Sequence, residues 1–151
     1  MNDLTQSLRR PTIVPTELSE PYWAAAAKGE LLLQRCENCA EFTFYPRYAC
    51  PTCGTGDLVW TPSRGRGTLF TYTIARRSTH PRLNSRVPYV VAIVELDEGP
   101  RMTSAIVAAT VEDVRIGRRV RVVFEDDGSR VFPVFELEGP DEAHRSEGMD
   151  K

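Results

Sequence analysis

Histidine is nearly missing from this 151-residue chain, which has two copies, His80 and His144. The side chain that most readily moves protons near neutral pH is therefore scarce. No G-x-S-x-G elbow and no H-E-x-x-H pair occurs, so neither a serine-hydrolase nor a zinc-hydrolase centre has its usual sequence scaffold. Lysine is confined to Lys28 and Lys151. No run is long and apolar enough to cross a bilayer. Arg9-Arg10 is followed by Pro11 with no apolar stretch behind it, so no export signal is expected and the reading is a soluble, reducing, cytoplasmic setting. A net charge of -2 and a pI near 5.7 remove whole-protein attraction to phosphate, which argues against indiscriminate binding to nucleic acid or anionic membrane.

Cysteine is also sparse, but its four copies are ordered. Cys36-Glu-Asn-Cys39 and Cys50-Pro-Thr-Cys53 form two C-x-x-C pairs separated by ten residues that include Phe42, Phe44, Tyr45 and Tyr48. Two short knuckles joined by a strand-forming stretch offer four thiolates to one tetrahedral zinc ion. Four thiolates leave no open position, so the metal reads as structural. Disulfides are the alternative, and they need an oxidising compartment to which nothing here directs the chain. A redox C-x-x-C needs a strand before it and a helix after it, a context that neither pair has.

In chain order, residues 1–30 read as an N-terminal tail and a short helix, with Ser19 as N-cap, Pro21 in the first turn, Ala24 to Ala27 as helix formers and Gly29 as the stop. Such a helix is too short to be stable alone, so Tyr22 and Trp23 must pack on the ribbon or on another subunit. Residues 31–61 read as the ribbon, with strands at Leu31 to Arg35, Phe42 to Tyr48 and Leu58 to Trp60. A turn-rich link follows. Residues 62–138 hold five strand candidates: Thr68 to Arg76, Tyr89 to Leu96, Met102 to Ala108, Val120 to Glu125 and Val131 to Leu137. Five such strands without a convincing helix predict a small barrel of OB type, with an open sandwich as the other fold. Alternation places Phe70, Tyr72 and Ile74 on one face of the first of them. Residues 139–151 read as an acidic tail. The second and fifth strands are apolar on both faces, as Tyr89, Val91 and Ile93 opposite Val90, Ala92 and Val94 show. One interior cannot bury both faces, so a partner surface is expected outside.

From Thr61 to Val90 there are Arg64, Arg66, Arg76, Arg77, Arg82 and Arg86 and no carboxylate, while the chain after Glu125 is mainly acidic. Guanidinium forks near aromatic rings suit a nucleotide with its phosphates, or the bases and backbone of a single strand. A solvated basic face is the plain reading. Three functions stay open at this point: a binding and organising subunit, a single-stranded nucleic-acid module, and an enzyme resting on His80 or a carboxylate.

The order of features then carries a resemblance. Pro21-Tyr-Trp23, Gly29-Glu-Leu-Leu-Leu-Gln-Arg-Cys36, Tyr45-Pro-Arg47, Cys50-Pro-Thr-Cys53, Gly65-Arg-Gly-Thr-Leu-Phe-Thr-Tyr-Thr73, Val87-Pro-Tyr-Val-Val-Ala-Ile-Val-Glu-Leu96 and Arg115-Ile-Gly-Arg-Arg-Val-Arg-Val-Val-Phe-Glu125 follow one another. The chain resembles the zinc-ribbon and OB-fold acyl-CoA-associated proteins, long catalogued as a domain of unknown function. The resemblance implies a mainly β chain: a short N-terminal helix, a rubredoxin-like four-cysteine ribbon and a five-stranded OB barrel. It implies structural zinc on Cys36, Cys39, Cys50 and Cys53. It also implies a non-catalytic scaffold beside a thiolase-superfamily enzyme, whether thiolase, acyltransferase or steroid side-chain aldolase, that helps to hold acyl-CoA. Some members are fused to a hydratase-like domain; with none here, an independent subunit is expected. Tyr45, Arg47, Arg64 and Arg66 are the residues proposed to face CoA, from their charge and position.

Overall fold

The computed structural model describes residues 13–78 and 81–139. The sequence readings placed on His80, His144, residues 1–12 and the acidic stretch from Pro140 lie outside the described residues. The expected architecture is met: one short helix, a three-stranded ribbon and a closed five-stranded barrel. No helix among the described residues is long and apolar enough to cross a membrane.

Helix α1 (Glu20–Ala26) carries Pro21 in its first turn, where its missing N–H costs nothing, and the chain turns away at Gly29 with φ +78°. Ser19 stands at the N-cap but does not cap the helix. Its hydroxyl accepts instead from the Thr16 backbone N–H at 3.0 Å, which fixes the turn before α1. Tyr22, Ala25 and Ala26 are buried. The Tyr22 ring lies 5.6 Å from Phe44 of the ribbon and the Trp23 ring 5.8 Å from Phe132 of the barrel, so α1 bridges the two rather than packing on the ribbon alone.

In the ribbon, β1 (Leu32–Cys36) is the central strand, flanked by β2 (Phe42–Thr43) and β3 (Leu58–Pro62). The strand expected from Phe42 to Tyr48 ends at Thr43. Pro46 has no N–H to offer a ladder, and the backbone of Arg47 turns to the side chain of Gln34 for its hydrogen bonds.

The barrel runs β4 (Arg66–Ala75), β5 (Tyr89–Leu96), β6 (Arg101–Ile106), β8 (Val131–Leu137), β7 (Arg119–Asp126) and back to β4. Its interior includes Leu69, Val90, Val94, Leu96, Met102, Val120 and Phe135, and the same cluster takes in Tyr22, Leu31 and Leu33, so ribbon and barrel share one core. Phe70 was expected on the face of Tyr72 and Ile74. It points outward, 42% exposed, and Leu69 occupies the interior. The reason is a register shift between Leu69 and Thr71, where one extra residue reverses the alternation before Tyr72 and Ile74 return to the core.

Gly67 pairs with both β5 and β7 at the closure of the barrel. A Cβ there would collide with the Glu95 carbonyl oxygen and come within 2.9 Å of the Val94 side chain. Backbone cannot swing aside as a flexible side chain can, so Gly67→Ala is expected to cost about 1–3 kcal/mol. Chemical denaturation checks this, and a loss below about 0.5 kcal/mol would show that the closure tolerates a methyl group.

Candidate metal centre and apolar cleft

Both knuckles are built from tight turns at the ends of the ribbon hairpins. Ala40 N–H donates to the Cys36 carbonyl and Gly54 N–H to the Cys50 carbonyl, each at 2.9 Å. These turns bring all four sulfurs within 4.8 Å of one another. Across the site, Cys36 Sγ lies 3.5 Å from Cys53 Sγ and Cys39 Sγ 3.6 Å from Cys50 Sγ. A tetrahedral zinc with bonds of about 2.3 Å separates its sulfurs by about 3.8 Å, so the cage fits the ion. A disulfide, at about 2.05 Å, does not describe these spacings, and the close pairs run between knuckles rather than within one.

The electrostatics agree with a cation at the centre. Hydrogen bonds from the Thr55 hydroxyl and backbone, with one from Asn38, bring the Cys53 thiol down to about 5. Cys36 is lowered as well, by the Thr55 hydroxyl first and then by the Cys39 backbone. Cys39 accepts a lowering bond from the Glu41 backbone, yet burial and the other three sulfurs push it up to about 12. Four thiolates this close cannot all remain charged without a dication among them.

A second feature was not anticipated as a unit by the sequence. A cleft of about 620 Å³ opens between α1, the ribbon segment Phe44 to Pro46, the 3-10 turn Pro81–Arg86 and the outer faces of β5, β6 and β8. It lies where the barrel wall is thinnest. β6 and β8 are parallel neighbours with one register pair, Ile106 opposite Phe135, and Pro133 has no N–H to give. The Ser104 hydroxyl donates to the Pro133 carbonyl at 2.9 Å in place of a ladder bond. Tyr89, Val91, Ala105 and Phe132 help to line the cleft, with Tyr22, Trp23 and Tyr45 on the side of the helix and ribbon. Tyr89 and Val91 are two of the outer residues expected to need a cover. Burial and the neighbouring Tyr45 push the Tyr22 phenol far above its ordinary range, so it stays neutral at physiological pH.

Of the four residues proposed to face CoA, Tyr45 lines this cleft and is 53% exposed. Arg47 is two residues further along, exposed, with its backbone held by Gln34. Arg64 and Arg66 are not among the lining residues. The Arg64 backbone N–H donates to Glu98 Oε1 at 2.7 Å, and Arg66 pairs with Glu138 at 3.2 Å. The arginine at the cleft is Arg86, which forks onto both oxygens of Glu125 at 2.6 and 3.3 Å. It belonged to the arginine-rich stretch, but nothing local set it apart. Elsewhere on the barrel, Arg119 grips Asp97 with two bonds of 2.7 Å and holds its carboxyl below the usual range. Arg121 pairs with Glu136 and Arg101 with Glu95. Within the basic stretch, Arg66 and Arg86 are thus met by carboxylates from elsewhere in the chain, and Arg101, Arg119 and Arg121 outside it are paired as well.

Two family descriptions match in series: the ChsH2 rubredoxin-like zinc ribbon domain over residues 23–59 and the ChsH2 C-terminal OB-fold domain over residues 60–125. A DUF35 domain-containing scaffold protein of Methanocaldococcus jannaschii is 37% identical over 98 residues, covering 62% of this chain and 69% of the relative. This chain belongs to the DUF35 family. Another relative by sequence is a probable enoyl-CoA hydratase alpha subunit of Thermomonospora curvata, 35% identical over 123 residues and 80% of this chain; the match spans 38% of that subunit's length. Among solved structures, a chain of the Ltp2-ChsH2(DUF35) aldolase superposes with a TM-score of 0.74 at 31% identity, covering 85% of this chain and 98% of that one. The DUF35 ribbon, with its four clustered cysteines, is accordingly assigned structural zinc.

Proposed function

We propose that this DUF35 chain is a non-catalytic accessory subunit that docks a thiolase-superfamily enzyme and helps to bind its acyl-CoA substrate. The observation that carries the reading is the apolar cleft: a roughly 620 Å³ concavity whose walls come from helix, ribbon and barrel together. An open apolar surface of this size is the mark of an interaction site. Relatives named as a scaffold, a hydratase alpha subunit and an aldolase component support an acyl-CoA enzyme as the partner. Among the described residues no histidine, carboxylate or thiol lines the cleft, and bond-making belongs to the larger partner in this reading. Tyr45 and Arg47 are the proposed contacts for CoA. Arg64, whose backbone N–H is bonded to Glu98, and Arg66, paired with Glu138, are proposed as peripheral to them.

The test is co-expression with a thiolase-superfamily protein encoded beside it. The expected result is a complex that survives size-exclusion chromatography and binds acyl-CoA more tightly than either component. A partner that fails to co-purify and is fully active by itself would remove the reading.

A further inference from the structure

Gln34 does something that neither metal ligation nor core packing requires. It sits in the middle of β1, 4% exposed, and reaches the backbone of a residue thirteen positions away. Its Nε2 donates to the Arg47 carbonyl at 3.0 Å, and the Arg47 N–H donates to its Oε1 at 2.7 Å. A buried amide is unfavourable unless both of its ends are bonded, and here both ends are bonded to the backbone of one residue. The two bonds fix where that backbone lies relative to β1.

The geometry they specify is that of the cleft. Arg47 directly follows Phe44, Tyr45 and Pro46, the ribbon's contribution to the cleft wall. This segment has left the ladder at Thr43 and is not anchored to the metal site until Cys50. The Gln34 amide ties it down between those points, from a strand whose next position but one is the ligand Cys36. Tyr45, tilted against Phe44 at 4.3 Å between ring centroids, is thereby held as an exposed aromatic wall. A wall fixed in advance spares a ligand the entropy of ordering it.

We infer that Gln34 is a positioning residue for the cleft: through Arg47 it sets the Tyr45 ring, so that the folded metal ribbon defines the shape of the binding surface. The inference deepens the docking reading above and rests on the cleft as its site.

The test uses the zinc-loaded full chain and the apolar fluorophore 1-anilinonaphthalene-8-sulfonate, with no partner present. The parent chain is expected to take up the dye saturably. Gln34→Leu, with zinc content and circular dichroism unchanged, should bind it at least about fivefold more weakly. Tyr45→Ala, which alters an exposed ring, should do the same, and the double variant should be no weaker than the worse single one, since both act on one wall. Parent-like affinity in Gln34→Leu, independent effects in the double variant, or a parent chain that takes up no dye would each overturn the inference. Should Gln34→Leu lose its zinc, the parent protein decides. Bound dye should slow exchange of the Arg47 amide hydrogen by about tenfold, and unchanged exchange overturns the inference. Because no partner enters the titration, its failure leaves a co-purifying complex standing, and failure to co-purify leaves the titration unaffected.

Discussion

Replacement of Cys36 by serine is expected to take the metal content of the purified chain from about one zinc per molecule to nearly none, and the ribbon with it. Cys36 is fully buried, with its sulfur 3.5 Å from Cys53, and it ends the strand that holds Leu33 in the shared core. The ribbon has three short strands, of which β2 contributes two residues, and little apolar area of its own. Binding of structural zinc by such small units supplies about 10–16 kcal/mol at neutral pH, more than a fold of this size keeps in reserve. Chelation of the parent chain should give the same result, as should acidification, because protons compete with the metal for the same thiolate lone pairs. The consequence extends beyond the knuckles. Leu31 and Leu33 cover barrel residues, and Phe44 and Tyr45 form part of the cleft, so loss of metal should also strip the core of one side. Metal analysis with a thermal melt checks this. A Cys36→Ser chain that keeps its parent's zinc and melting temperature would refute the four-thiolate centre.

Phe135→Ala is expected to cost about 3–5 kcal/mol, and to lower the melting temperature by roughly 10–20 °C. Phe135 is the largest of the fully buried side chains. It also stands at the weakest seam of the barrel, opposite Ile106 in the parallel β6 and β8 pair, and its carbonyl accepts from the Val107 N–H at 2.8 Å. With so few ladder bonds available there, side-chain packing holds the wall closed, and alanine would leave a cavity that the neighbouring strands can fill only by separating. The seam also forms the floor of the cleft, so the variant should lose affinity for apolar ligands in parallel with its stability. A cost below about 1 kcal/mol would mean that the seam is held by something other than this ring.

The elements that sequence reading found were those whose cause is local. C-x-x-C spacing predicts a knuckle because two thiolates three positions apart meet across a single turn, wherever the rest of the chain goes. Alternation predicts a strand such as Tyr89–Leu96 because neighbouring side chains point to opposite faces. Where the local pattern misled, a distant strand had intervened. Phe70 was placed on the face of Tyr72 by alternation, but the pairing of Leu69 with Val94 and of Thr71 with Ile93 leaves Phe70 as the extra residue. Phe42 to Tyr48 looked like a strand of seven residues and became one of two, because Pro46 interrupts it and Gln34 offers the backbone another partner.

By itself, then, the sequence determined the metal ligands, the helix with its stop at Gly29, and the five barrel strands, all of which follow from spacing within a few residues. The tertiary structure decided which arginines meet carboxylates and where an apolar surface stays open. Arg86 meets Glu125 across 39 positions, and the cleft draws its walls from six separate elements. Both depend on which distant segments come together when the barrel closes, and no window of neighbouring residues records that.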